Sequence, residues 1–260
     1  MTRETATAPV RVAHRRTVLI LGATSAMARA VAGEFARRGY DLILAGRDPG
    51  ELDSLATDLA VRFGVKAEGR TFDALALETH SVFVEACRKT SDDSLEGAVL
   101  FLGYLGDQSV AQKDPAETRR ILDTNLMGPV SILSLLANHF EEKRAGFLCA
   151  LTSVAGDRGR QSNYVYGAAK AGLSVFLQGL RNRLFRSGVR VITIKPGFVD
   201  TAMTFGRPGM FLVASPESAA THIVEAILKG RDQAYVPGFW RPVMLLIRLI
   251  PESIFKRMRL

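Results

Sequence analysis

Three side chains in the second half of the chain, Ser153, Tyr166 and Lys170, have the types and spacing of an acid–base centre. Residues four apart on a helix share a face, so the Lys170 ammonium can sit beside the Tyr166 phenol. A free tyrosine titrates near pH ~10, and a neighbouring positive charge favours the phenolate and lowers that value. Such a tyrosine gives a proton to a carbonyl oxygen as hydride reaches the carbon, and takes it back in the reverse direction. Ser153 closes an apolar run, where its hydroxyl can hydrogen-bond the same developing oxyanion. A Tyr-x-x-x-Lys pair by itself is usually a solvated surface pair. The strand-end serine thirteen residues upstream, together with a small-residue turn near the N-terminus, reverses that reading.

That turn is Gly22-Ala23-Thr24-Ser25-Ala26-Met27-Ala28, directly after the apolar run Thr17 to Leu21. Tiny residues between a strand and a helix let backbone N–H groups approach a pyrophosphate at the helix N-terminus. The usual glycine-rich form has Gly at 22, 26 and 28. Alanine at the last two disfavours positive φ, which predicts a slightly reshaped loop. A second apolar run ends in Gly46-Arg47-Asp48. An acid at that tip would hydrogen-bond the ribose hydroxyls of NAD, whereas the planar fork of an arginine suits a 2′-phosphate. NADP(H) is therefore the preferred cofactor, with NAD(H) the alternative if Asp48 serves the ribose.

Positioning these groups requires an alternation of strands and helices, and the chain supplies one. Strands are expected at residues 17–21, 41–45, 65–72, 97–102, 147–152, 189–194 and 234–236. Helices are expected between them at 27–38, 49–63, 75–89, 115–142, 164–186 and 216–229, the long one bent at Pro129. Continuous apolar strands joined by crossover helices specify an α/β fold, a doubly wound parallel sheet of Rossmann type with helices on both faces. No Pro/Gly/Ser linker divides the 260 residues, so one domain is expected over 17–237. A flexible arm precedes it at 1–16 and a hydrophobic, basic tail follows at 238–260.

Composition narrows the function class. Apolar residues make up 47% and charged residues 23%, which is a globular balance. Cys87 and Cys149 have no metal-ligand spacing, and the four histidines form no cluster, so no metal site is expected. The formal charge of +8 invites nucleic acid, but the positive residues are scattered and no recognition motif accompanies them. No apolar stretch reaches the roughly 18 residues of a membrane span, and the N-terminal segment lacks a signal-peptide core. A cytoplasmic protein is expected, with peripheral contact at the inner face of the membrane as an option.

With Ser153, Tyr166-Gly-Ala-Ala-Lys170 and the small-residue turn in place, the chain resembles the short-chain dehydrogenase/reductase family over roughly residues 17 to 237. The resemblance implies a Rossmann-type fold, NAD(P)H and a Ser-Tyr-Lys centre completed by a helical asparagine, here Asn125. In the family that asparagine helps hold a water linking the lysine to a proton relay. It also implies cofactor contacts from Gly22, Thr24, Ser25, Ala26, Met27, Arg47, Asp73, Leu102, Gly103, Tyr166, Lys170, Pro196, Gly197, Val199 and Thr201. Asp73 would meet the adenine ring, Pro196-Gly197 the nicotinamide, and Thr201 the carboxamide or phosphates. Homodimers or homotetramers, often built through the two helices 115–142 and 164–186, are implied as well. One departure is Leu100-Phe101-Leu102-Gly103, where the family usually has Asn-Asn-Ala-Gly.

A narrower similarity rests on Tyr104 to Gln108, on Ala155 to Gly167 and on the tail from Phe239 to Lys256. It is to family members that reduce a 2-keto pentose carried on a polyprenyl phosphate, working beside a flavin-dependent oxidase in cell-wall biosynthesis. Arg158 and Arg160 lie between Ser153 and Tyr166, and their paired N–H donors could hold the phosphodiester; solvated loop arginines are the equal alternative. The tail carries five basic residues, Arg241, Arg248, Lys256, Arg257 and Arg259, against Glu252 alone. Such a segment either lies in the headgroup layer of an anionic membrane or packs on a subunit or over the substrate cleft. The competing functions are reduction of another ketone or alcohol, and a binding protein that senses NADP without catalysis.

Overall fold

The computed structural model describes residues 16–201 and 213–258; the expected N-terminal arm up to residue 15 and Arg259 of the tail lie outside the described residues. Seven strands form one sheet: β1 (Thr17–Leu21), β2 (Asp41–Gly46), β3 (Ala67–Thr71), β4 (Leu95–Leu100), β5 (Phe147–Leu151), β6 (Arg190–Pro196) and β7 (Gln233–Val236). Every residue of β1, β2 and β5 is buried, as strands covered on both faces require. All pairs are parallel, in the order β3-β2-β1-β4-β5-β6-β7. The chain winds outward from β1 in one direction and from β4 in the other. The crevice for a ligand therefore opens beyond the C-terminal ends of these two neighbours.

Helices α1 (Ala26–Arg37) and α2 (Pro49–Phe63) pack on one face of the sheet. α3 (His80–Thr90) packs on the other. Two short helices follow β4, α4 (Gln108–Ala111) and α5 (Pro115–Leu122). α6 (Gly128–Lys143) and α7 (Tyr164–Leu184) join α3 on its face, and α8 (Pro216–Leu228) joins α1 and α2. Each face thus has its own apolar core, one around Val31, Phe35, Leu52 and Ile223, the other around Leu136, Phe140, Leu173 and Leu177. Local signals set the boundaries of α2. Asp48 caps it by accepting the Glu51 N–H at 3.0 Å, Pro49 opens it, and Gly64 closes it with φ of 66°.

Several expected boundaries move. β3 starts at Ala67, two residues late, and the helix expected from 75 starts at His80 after a single 3₁₀ turn at Leu77–Thr79. Asp73 explains the delay, because its carboxylate accepts the Leu75 N–H at 3.0 Å and holds a turn there. The helix expected over 115–142 is three pieces: α5, a π-helical turn at Asp123–Met127, and α6. Pro129 does not bend that helix. It sits in the first turn of α6, where a missing N–H costs little, and the irregularity lies just before it. The last turn expected of α7 is 3₁₀, Phe185–Ser187.

The tail forms two elements not anticipated from the sequence, α9 (Trp240–Leu249) and α10 (Glu252–Phe255). α9 lays Trp240 and Met244 against Val154, Phe198 and Tyr235, so the tail closes over the ends of β5, β6 and β7 of its own chain. No helix among the described residues is long and apolar enough to cross a membrane.

Candidate active site

The loop that leaves β1 turns sharply into α1. Gly22 has φ of +77°, and a Cβ built on it would lie 3.1 Å from the Phe101 carbonyl oxygen. Both its conformation and its close approach to the strand-end loop after β4 therefore demand glycine. The N–H groups of Gly22 and Ala23 bond the Ala45 carbonyl at 2.8 and 3.0 Å, and Ser25 caps α1 by accepting the Ala28 N–H at 3.3 Å. Ala26 and Ala28 are already inside α1, and neither has positive φ. Helical φ suits alanine, so neither position strains the turn.

Beyond this turn lies a cleft of about 350 Å³ lined by Gly22, Thr24, Ser25, Arg47, Asp73, Leu102 and Gly103. Seven of the residues expected at the cofactor thus share one groove, which a backbone approach point, a helix N-terminus and an exposed arginine fit to a phosphate-bearing dinucleotide. Asp48 is committed to capping α2, leaving Arg47 as the strand-tip residue that faces the groove. The backbone oxygen of Asp73 pairs with Nε2 of the fully buried His80 at 3.1 Å, while Nδ1 of that ring is 2.9 Å from the Ser131 hydroxyl. Phe101 and Leu102 give the groove an apolar wall. Ala26 and Met27 stand in the first turn of α1 rather than in this lining.

Sequence reasoning missed Arg120 and Thr124, which complete the groove. They are four apart in the segment leading to Asn125, and that spacing was the available signal. The Arg120 guanidinium lies 4.3 Å from the centre of the Tyr104 ring.

The residues expected to handle the proton meet where β4 and β5 end. Lys170 is 2% exposed, and its Nζ donates to the Leu102 carbonyl at 3.1 Å and the Leu151 carbonyl at 3.2 Å. Burial disfavours its charged form and pulls its pKa down to about 7. The Tyr166 ring, on the same face of α7 one turn earlier, is 8% exposed and centred 5.8 Å from that nitrogen. Ser153 follows β5 in extended conformation, and its Oγ accepts the Ala155 N–H at 3.1 Å. Two glycines let this serine loop lie on α7. A Cβ on Gly156 would meet the backbone of Lys170 and Ala171 at 2.8 Å, and one on Gly167 the Ala155 oxygen at 2.9 Å.

Asn125 is fully buried in the π-helical turn and spends its amide on backbone. Its Oδ1 accepts the Tyr104 N–H at 3.2 Å, and its Nδ2 donates to Tyr104 at 2.6 Å and Ile121 at 2.8 Å. The irregular turn is thus tied to the loop that carries Leu102, the residue whose carbonyl holds Lys170.

On the far side of β5, Pro196 is buried at the end of β6, and Val199 forms an isolated bridge with Ala214. Thr201 is the last residue before a stretch outside the described residues. Gly197 has a packing reason to be glycine, since a Cβ there would land 1.9 Å from Nε1 of Trp240. The two loop arginines expected at the substrate phosphate make contacts within the chain. Arg158 donates to the Arg248 carbonyl at 3.2 Å and to the Glu252 carboxylate at 2.6 Å, and stacks 4.2 Å from the Phe255 ring centre. Arg160 is directed at the Met244 sulfur, 3.5 Å away. Both therefore tie the tail to the serine loop. That loop is also pinned by Asp157, which pairs with buried Lys195 and accepts the Tyr235 hydroxyl at 2.7 Å. None of these contacts has a local sequence signal, because the partners are 38 to 94 residues apart.

A family model described as short chain dehydrogenase matches residues 16–208. An uncharacterized oxidoreductase of Mycobacterium tuberculosis is 36% identical over 231 residues, covering 88% of this chain and 92% of that one. An uncharacterized oxidoreductase encoded in the mprA 5′ region of Streptomyces coelicolor is 34% identical over 244 residues, 94% of this chain and 96% of that one. Among solved structures, a short-chain dehydrogenase from Sphingobium yanoikuyae in complex with NADPH superimposes with a TM-score of 0.77 at 24% identity, covering 92% and 97% of the two chains.

Proposed function

The chain belongs to the short-chain dehydrogenase family, and from that premise we propose that it is an NADP(H)-dependent carbonyl reductase of a polyprenyl-phosphate-linked 2-keto pentose, forming the arabinose epimer. NADPH, when bound, supplies the hydride. The 22–25 turn and the N-terminus of α1 hold its pyrophosphate. Arg47 takes the 2′-phosphate, a preference supported by the commitment of Asp48 to the α2 cap and by the NADPH complex of the related fold. NAD(H) remains the weaker partner, since no free acid stands at the tip of β2.

Tyr166 donates its proton to the substrate carbonyl oxygen. Ser153 accepts the Ala155 N–H and so keeps its own hydroxyl hydrogen for the same oxygen. Lys170 in its ammonium form favours the phenolate that Tyr166 becomes, and the two carbonyls that hold it fix its position. Asn125 positions the lysine indirectly, through the loop it stitches to its own turn. Homodimers or homotetramers through α6 and α7 are part of this reading, supported by Val175, 65% exposed on α7.

The observation that carries the sugar over other ketones is a recess of about 430 Å³ beside the start of α7. Gln108, Ser109, Gln112, Gln161, Ser162 and Asn163 line it, and no lysine or arginine among the described residues does. Its single carboxylate, Asp107, is spent on the N–H and hydroxyl of Ser109, both at 2.7 Å. Neutral carboxamides and hydroxyls both give and accept hydrogen bonds, which suits sugar hydroxyls and not an anion or an alkyl chain. Gln108 accepts the Val165 N–H at 3.0 Å, which sets this recess one residue from Tyr166. A flavin-dependent oxidase that generates the keto group is the partner this substrate requires. The test is NADPH oxidation with the enzymatically generated keto-pentosyl polyprenyl phosphate beside an unhydroxylated cyclic ketone. Turnover of the lipid-linked sugar at a far higher kcat/KM is expected; preference for the plain ketone would overturn the sugar assignment.

A further inference from the structure

We infer that the outer face of α9 and α10 is a membrane-docking surface that sets the catalytic mouth against an anionic bilayer. α9 is apolar on two sides. Its inner stripe, Trp240 and Met244, is 2% and 0% exposed against Val154 and Phe198. Its outer stripe is Leu245, Leu246 and Leu249, at 56%, 67% and 69% exposure, continued by Ile254 at 55% on α10. One stripe suffices to dock a helix on its own domain, so the second is cover for something else.

Charge decides what that something is. Arg241, Arg248, Lys256 and Arg257 are all exposed around these apolar side chains. The only acid of the described tail, Glu252, is held by Arg158, and none of the four cations has an ion pair among the described residues. An apolar strip rimmed by cations of one sign matches an anionic headgroup layer over an acyl boundary. It is a poor match to a second copy of itself, since a two-fold contact would bring like charges together.

The placement has a consequence for catalysis. Val154 follows Ser153, and Gly197 follows the end of β6, so the same helix whose outer stripe enters the bilayer forms a wall at the site with its inner stripe. A polyprenyl chain can stay in the membrane while its sugar reaches Tyr166. This use of the surface rests on the lipid-linked substrate; the docking itself does not.

The test is sedimentation of the whole chain with phosphatidylglycerol vesicles and with phosphatidylcholine vesicles. Two variants join it: Leu245→Ser/Leu246→Ser/Leu249→Ser, and Arg241→Gln/Arg248→Gln/Lys256→Gln/Arg257→Gln. NADPH binding and reduction of a small soluble ketone report that each variant is folded. The wild type should bind the anionic vesicles, less so in high salt, and each variant should lose about tenfold or more of that affinity while keeping soluble-ketone turnover. Three results would overturn the inference: wild type left in the supernatant, variants that sediment like wild type, or a leucine variant that changes from oligomer to monomer. Loss of the sugar activity with vesicle binding intact would instead count against the substrate assignment alone.

Discussion

Replacing Lys170 with Met should change how stability depends on pH, by an amount the burial of the lysine sets. The folded protein pulls the Lys170 pKa from 10.5 to about 7 through desolvation alone, and at about 1.36 kcal/mol per unit this corresponds to roughly 5 kcal/mol. The unfolded chain holds that proton up to its ordinary pKa, so between pH 7 and 10.5 the unfolded state binds more protons and stability rises with pH. The penalty is fully present below pH 7 and gone above 10.5. Lys170→Met lacks this proton, and all other groups are common to both proteins. The variant also strands the Leu102 and Leu151 carbonyls, but that cost is the same at every pH. Urea unfolding from pH 7 to 9 should therefore show wild type gaining about 2–3 kcal/mol on the variant, or roughly 5–10 °C in Tm for a domain of this size. Parallel stability curves would refute the reasoning, because they would mean that Lys170 keeps an ordinary pKa in the folded protein.

Other consequences are as direct. Arg47→Ala should weaken NADPH binding by about 10–100-fold and NADH binding little, as loss of a charge-assisted contact predicts; equal losses, read by titration, would remove Arg47 from the 2′-phosphate. Gly197→Ala forces a methyl into the Trp240 indole and should cost about 1–3 kcal/mol or expel α9. Trp240 is the sole tryptophan, so its emission should shift to the red, and an unchanged spectrum and Tm would contradict the packing. The kcat/KM for NADPH in the reductive direction should fall as pH rises through about 7, where Lys170 loses the charge that supports Tyr166; a flat profile up to pH 9 would dissociate the two.

Where local chemistry decides, the sequence is a good guide. Asp48, Pro49 and Gly64 bound α2 at the expected residues, and the apolar run of β1 is the buried strand expected of it. The turn at Gly22 and the 166/170 pair were legible because each depends on a few adjacent residues. The π-helical turn was not, because an inserted residue leaves no mark in hydrophobic periodicity, and Pro129 offered a simpler reason for a bend. Its cost is met by three hydrogen bonds of Asn125, one to the Ile121 carbonyl and two to Tyr104, 21 residues away. α9 was hidden for another reason: apolar on two sides, it shows no single inward stripe, and the space left over Gly197 selects Trp240 and Met244. Arg158 and Arg160 stand where a substrate arginine would be sought; their contacts with Glu252 and Met244 were not legible, because only the tertiary fold brings those partners near.

The central claim is that Tyr166 is the proton donor of an NADPH-dependent reduction, and Tyr166→Phe tests it most directly. The measurement pairs NADPH binding with single-turnover oxidation of bound NADPH by a ketone substrate. NADPH affinity should stay near normal while the rate falls by several orders of magnitude, since a general acid and the chemistry that depends on it vanish together. A variant that binds and oxidises NADPH like wild type would contradict it, and the acid would have to be sought elsewhere in the cleft.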